Sequence, residues 1–259
     1  MSSIDHYENF PVASWLCPAR LRPAVAALYH FARTADDLAD EGHDPAHHRL
    51  DALGEYRADL QNCLDNAKAT SVRWPKVFDA LQDAVEKHQL PTQPLFDLLD
   101  AFEQDVVYTS VGQGYRNRTE LLGYCRRSAN PVGRLMLHLY GVADTASLAE
   151  SDAICTSLQL INFWQDRAED LQRGRDYLPQ GHTLEQELSF ARELMMQGAP
   201  LARRVKGRAG WELRAVVQGG LRILDKLDAR DETTDHKHLA RPTLKKPDLI
   251  SIAWRCIRM

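Results

Sequence analysis

Leu158-Gln159-Leu160-Ile161-Asn162-Phe163-Trp164-Gln165-Asp166-Arg167-Ala168-Glu169-Asp170 carries Gln159, Asn162, Asp166 and Asp170 at spacings i, i+3, i+7 and i+11. At about 100° per residue these four fall within an arc of roughly 80°, so a helix here bears one narrow polar stripe over three turns. The neighbouring Leu158, Ile161, Phe163 and Trp164 are strongly apolar. A stripe of oxygen ligands on so apolar a helix is expected to face the protein's interior rather than open solvent. Asp166 and Asp170 stand one turn apart, where like charges cost a helix about 0.2–0.5 kcal/mol unless a cation lies between them. Carboxylate and amide oxygens are hard ligands that suit Mg²⁺, which keeps several waters and bridges to phosphate oxygens.

A comparable stripe lies more than a hundred residues earlier, in Arg33-Thr34-Ala35-Asp36-Asp37-Leu38-Ala39-Asp40. Arg33, one turn before the acids, can pair with a carboxylate or present a two-pronged fork to a phosphate. Carboxylates at a helix C-terminus oppose the helix dipole, which prefers cations there. A bound metal removes that penalty. The two clusters together predict a jaw for a divalent metal and a polyanionic ligand.

The rest of the chain is patterned as helix almost throughout. Pro23 opens a helix that carries Val25, Leu28, Tyr29 and Ala32 and runs through Asp36 to Glu41, ended by Gly42. Apolar spacing predicts further helices over 50–64, 77–85, 95–106, 119–140, 147–173, 183–198, 211–228 and 243–257. Pro131 with Gly133 predicts a kink in the fifth, and Gly174 closes the long one. The connection 112–117 is polar and glycine-rich, and 230–241, charged and histidine-containing, is expected to be mobile. There is no alternating strand pattern, repeat or low-complexity tract, so residues 1–259 read as one all-α domain.

Composition narrows the function classes. The 259 residues are 44% hydrophobic and 26% charged with net charge −4, an ordinary globular balance without the basic block of a nucleic-acid binder. The five cysteines are scattered without a CxxC, which predicts reduced thiols and a cytoplasmic setting. No apolar run is long enough for a membrane span and no signal peptide is apparent, which leaves peripheral membrane contact open.

With both motifs placed, the chain resembles the squalene/phytoene synthase family of head-to-head isoprenyl synthases, and within it the hydroxysqualene synthase branch of hopanoid precursor synthesis. His6-Tyr7-Glu8-Asn9-Phe10-Pro11-Val12-Ala13-Ser14 is similar to that branch's N-terminal signature. The two aspartate motifs match, as do Phe102-Glu103-Gln104-Asp105-Val106 and Tyr124-Cys125-Arg126-Arg127-Ser128-Ala129-Asn130-Pro131-Val132-Gly133. So do Gly174-Arg175-Asp176-Tyr177-Leu178-Pro179, Val217-Gln218-Gly219-Gly220-Leu221-Arg222-Ile223-Leu224 and Arg241-Pro242-Thr243-Leu244. The chain departs from the family pattern in a shorter segment after Pro179 and in the stretch 230–239. Arg167 and Glu169 also stand where relatives carry smaller residues.

The resemblance implies an all-α isoprenoid synthase fold, a single bundle around a central cavity with the two aspartate helices facing across its mouth. It implies Mg²⁺ held by Asp36, Asp40, Asn162, Asp166 and Asp170, and an isoprenoid diphosphate as substrate. Asp37, Gln159, Arg33, Arg175, Tyr177 and Arg241 are then expected around the diphosphate. Tyr124 reads from its own sequence as a core tyrosine. The family carries an active-site tyrosine at that position, which implies cation stabilisation or proton handling. Ser128, Val132 and Gly133 are expected to line the kinked helix beside the substrate chain, and Pro131 with Gly133 also serves as a packing kink.

The implied reaction is ionisation of presqualene diphosphate with water quenching the cation to hydroxysqualene. The alternatives within the family are condensation of two farnesyl diphosphates to presqualene diphosphate and squalene with NADPH, or phytoene-type condensation. Either role places the protein beside other enzymes of the squalene pathway. A catalytically silent assembly subunit of the same fold would have no reason to keep carboxylates on both helices.

Overall fold

The computed structural model describes residues 17–40, 44–65, 71–229 and 241–259. The expected helix end at Glu41 and Gly42, the 6–14 signature and residues 230–240 of the connection expected to be mobile lie outside the described residues. The elements are α1 (Arg22–Asp40), α2 (Ala46–Asp65), α3 (Pro75–His88), α4 (Gln93–Ser110), α5 (Arg118–Ser128), α6 (Asn130–Leu139), α7 (Thr145–Gln172), α8 (Leu184–Gly198), α9 (Leu201–Arg204), α10 (Gly207–Asp228) and α11 (Lys246–Arg258). Among the described residues there is no strand. The architecture is all-α, as expected.

Local chemistry sets the helix ends. The side chains of Asn117, Asp144 and Thr183 accept from the backbone N–H groups of Glu120, Ser147 and Gln186, capping α5, α7 and α8. Each such cap is worth about 1 kcal/mol. Pro131 sits in the first turn of α6, where its missing N–H would have had no helical partner. The expected kink is thus a complete break, with Ala129 joining two separate helices. Gly174 ends α7 at φ +78, a left-handed conformation that glycine adopts without a Cβ penalty.

Buried apolar side chains form two clusters. Phe31, Tyr56, Phe78 and Leu99 anchor one, built on α1 to α4. Leu160, Trp164, Met195 and Leu224 anchor the other, built on α7, α8 and α10. Fully burying side chains of this size contributes about 1.5–3 kcal/mol each. Helix α6 lies between the clusters. Its Leu135 and Leu139 join the first and Leu137 the second, because a two-residue step turns a helix by about 200°.

Gly133 lets α6 approach α7 closely. A Cβ there would collide with Ser151 Oγ and Cys155 Sγ on α7. All five cysteines are buried and free of disulfides, as their scatter predicted. Three differences concern helix starts, the first being α2, which begins at Ala46 rather than 50. Helix α10 begins at Gly207 rather than 211, preceded by the single turn of α9, which is too short to leave a periodic pattern. Helix α11 begins at Lys246 rather than 243, where Pro247 suits the first turn and the Asp248 carboxylate accepts from Lys245 N–H at 2.7 Å.

Candidate active site

The polar stripe of α7 folds as its spacing requires. Gln159, Asn162, Asp166 and Asp170 are partly exposed, whereas Leu158, Ile161, Phe163 and Trp164 are buried. On α1, Arg33 sets its guanidinium between the two acids that follow, with Nη1 3.1 Å from Asp36 Oδ2 and Nη2 2.7 Å from Asp37 Oδ1. The chain leaving α7 turns back at Gly174, and Arg175 N–H donates to Asp170 C=O at 2.8 Å. That turn aims the Arg175 side chain across to α1. It donates to Asp40 Oδ1 at 2.6 Å and Oδ2 at 3.1 Å, and to Thr109 Oγ1 at 3.2 Å. Arg241 pairs in the same way with Asp166, Nη2 donating to Oδ2 at 3.1 Å.

The three arginines expected at phosphate oxygens therefore each hold one of the expected metal ligands, and Arg33 holds Asp37 as well. Asp170 lacks such a fork. Burial, then the charge of Asp166, pushes its carboxyl up to about 7. Burial raises Asp166 too, against the pull of Arg241. Acids lifted in this way are short of positive charge.

Between α1, α4, α6, α7 and α10 lies a cavity of about 410 Å³, within the usual ~300–1,000 Å³ of small-molecule pockets. Arg33, Asp36, Gln159 and Asn162 line one end of it. Asp40 and Asp166 continue the two helices one turn beyond that end. Ser128, Val132 and Gly133 line the wall, and Ser128 Oγ is buried without a hydrogen-bond partner among the described residues. The remaining wall is mainly apolar, with Leu28, Leu98, Phe102, Ile154, Leu158 and Val216 prominent. Along α1 it extends from Val25 to Asp36, a rise of about 16 Å at ~1.5 Å per residue.

Tyr124 and Tyr177 stand elsewhere than against this wall. Both hydroxyls donate to the buried Asp105 carboxylate on α4, Tyr177 at 3.5 Å and Tyr124 by a shorter bond. Phe163 stacks on Tyr177 with ring centroids 3.7 Å apart. Burial pushes Asp105 up to about 7, opposed by the Tyr124 hydrogen bond and Arg175 and assisted by Asp40 and Asp36. Burial first, and the charge of Asp105 second, hold both phenols well above their ordinary range. Asp105 is the residue that reading the sequence missed as a site member, although its segment was singled out. The signal was present: with Leu98 and Ala101 it falls at i, i+3, i+7 on the buried face of α4, an acid where an apolar residue belongs.

Comparison with known proteins settles the family. A profile of squalene/phytoene synthases matches residues 5–189. The chain belongs to the squalene/phytoene synthase family. Hydroxysqualene synthase of Rhodopseudomonas palustris is 34% identical over 256 residues, covering 90% of this chain and 83% of that one. Its counterpart from Sinorhizobium fredii is 31% identical, covering 90% and 84%. The crystal structure of squalene synthase HpnC from Alicyclobacillus acidocaldarius superposes with TM-score 0.75 at 33% identity, over 86% of this chain and 89% of that one. A dehydrosqualene synthase in complex with ligand shares the fold, with TM-score 0.76 at 20% identity over 98% and 92%.

Family membership gives the geometry its meaning. Among the described residues no three His, Cys, Asp or Glu side chains stand close enough to hold a metal ion by themselves. Mg²⁺ characteristically takes one or two carboxylates and completes its shell with water and substrate phosphate. The donor set here, aspartates with an asparagine amide, is the hard oxygen kind it prefers.

Proposed function

We propose that the protein converts presqualene diphosphate and water to hydroxysqualene and diphosphate. The observation that carries this reading is similarity to hydroxysqualene synthases over nine-tenths of the chain, joined to an apolar cavity with Arg33, Asp36 and Asn162 at one end. A diphosphate head fits the polar end and a hydrocarbon chain fits the rest.

The proposed site residues divide by task. Asp36, Asp40, Asn162, Asp166 and Asp170 would hold Mg²⁺, which would supply positive charge to a departing diphosphate. Arg33, Arg175 and Arg241, with Asp37 and Gln159 orienting the shell, place donors near the phosphate oxygens. The carbon–oxygen bond breaks with its electron pair leaving on diphosphate, and the rearranged carbocation takes the oxygen of one water. The proton released then passes to a base. Tyr124, whose hydroxyl shares the buried Asp105 carboxylate with Tyr177, is the group proposed for cation stabilisation or proton handling. Ser128, Val132, Gly133 and the apolar wall hold the chain and exclude further water.

A second reading, condensation of two farnesyl diphosphates, draws support from the similarity to a squalene synthase. Product analysis separates the two. Incubation with Mg²⁺ and presqualene diphosphate yields hydroxysqualene without NADPH on the first reading. Turnover of farnesyl diphosphate alone, or a requirement for NADPH, overturns it.

A further inference from the structure

Helix α11 is apolar on two opposite sides. Ile252 and Cys256 face inward with Asp248, which the side chains of Arg222 and Lys226 clamp. On the outer side Ile250 is 75% exposed, Ile257 71% and Trp254 55%, with Leu249 beside them at 56%. Ile250, Trp254 and Ile257, at i, i+4 and i+7, fall within about 60° of one another and form one continuous stripe. Trp211, 47% exposed on α10, adjoins its end, because Arg214 both stacks on the Trp211 ring at 4.7 Å and donates to Cys256 C=O at 3.3 Å. A helix apolar on both faces needs a second apolar neighbour, and large exposed apolar patches mark interaction sites.

The charges beside the stripe say what kind of neighbour. From 245 onward the chain carries Lys245, Lys246, Arg255 and Arg258 against Asp248 alone. Asp248 is buried, so the exposed surface is basic. Lys245 and Lys246 flank the start of the stripe, and Arg258 stacks over Trp254 at 3.6 Å at its end. Arg255, turned aside, pairs with Asp225. An apolar stripe with indole and isoleucine at its centre and cations at its rim matches the acyl–headgroup boundary of an anionic bilayer. The segment leading into this helix is tied to the polar end of the cavity, since Arg241 pairs with Asp166 and Gln165 Nε2 donates to Pro242 C=O at 2.7 Å.

We propose that the outer face of α11, with Trp211, lies on the surface of an anionic membrane, inserting Ile250, Trp254 and Ile257 between headgroups while Lys245, Lys246 and Arg258 meet lipid phosphates. No helix among the described residues is long and apolar enough to cross a membrane, so this contact is peripheral.

Sedimentation of the full chain with vesicles tests the assignment independently of any turnover. The protein should bind vesicles of phosphatidylcholine with about one-third phosphatidylglycerol, and at least about tenfold less to pure phosphatidylcholine. I250E and I257E, each checked for an unchanged circular dichroism spectrum and melting temperature, should each lose at least about tenfold in binding. The charge reversal K245E/K246E should lose the preference for phosphatidylglycerol, and V72E, at a far exposed site, should bind as the parent does. No binding by the parent, or equal binding by parent and I250E, overturns the proposal. So does a dimer that I250E dissociates while neither protein binds vesicles, since the face then belongs to a second copy.

Discussion

Arg175 and Asp40, 135 residues apart in the chain, are joined by a two-pronged ion pair that ties the end of α7 to the end of α1. The Arg175 side chain is only 11% exposed, and Thr109 fixes its orientation from α4. On the proposed reading the pair sets a phosphate-binding group against a metal-binding one before either has its ligand. Diphosphate and Mg²⁺, bound as proposed, would compete with this interaction and would meet an arginine already oriented.

Arg175→Lys keeps the charge but loses the fork. It should raise KM for the diphosphate substrate about tenfold and lower kcat less, because a point charge cannot reproduce the planar geometry. Steady-state kinetics at saturating Mg²⁺ check this. An unchanged KM would remove Arg175 from the diphosphate site.

Asp36→Asn and Asp166→Asn should each lower kcat by about 10²–10³, the range seen when one preorganised stabilising group is removed. Neither should unfold the protein, since each side chain is only partly buried. Differential scanning fluorimetry should show Mg²⁺ with diphosphate raising the melting temperature of the parent more than that of either variant.

Asp105 and Asp170 make stability depend on pH in a stated direction. Each carboxyl titrates near 7 in the folded chain against about 4 unfolded. Between those values the folded state holds protons that the unfolded chain has released. Stability from these groups is thus complete below about pH 4 and declines as pH rises toward 7. Denaturant melts of metal-free protein should lose on the order of a few kcal/mol from pH 5 to pH 8. Asp105→Asn should flatten part of that decline; an equally steep decline in the variant would contradict the assignment.

Gly133→Ala adds a methyl group where α6 meets Ser151 and Cys155. Overpacking of this kind costs about 1–3 kcal/mol. The melting temperature should fall by roughly 2–12 °C for a chain of this size, with reduced turnover because the same contact forms the cavity wall.

The sequence-to-structure relation is clearest at α7. Its apolar residues demand burial on most of the helix, so four polar residues on one stripe could only face a polar interior. The break at Ala129 was legible as a kink because Pro131 excludes a continuous hydrogen-bond ladder. Other features left no local trace. Helix α9 is one turn long, below any period, and the start of α11 depends on Pro247 and Asp248 rather than on apolar spacing. The partnership of Tyr124 and Tyr177 with Asp105 joins α4, α5 and the connection after α7, and only the fold brings them together. The arginine pairing was half legible: Arg33 with its own helix's acids follows from i, i+3 and i, i+4 spacing. Arg175 with Asp40 and Arg241 with Asp166 required the tertiary structure.

The most direct test of the proposed reaction follows the oxygen atom. Presqualene diphosphate incubated with the protein and Mg²⁺ in ¹⁸O-labelled water, without NADPH, should give hydroxysqualene whose hydroxyl carries the label, with diphosphate released. Squalene, an unlabelled alcohol, or no consumption of presqualene diphosphate by folded protein would contradict it.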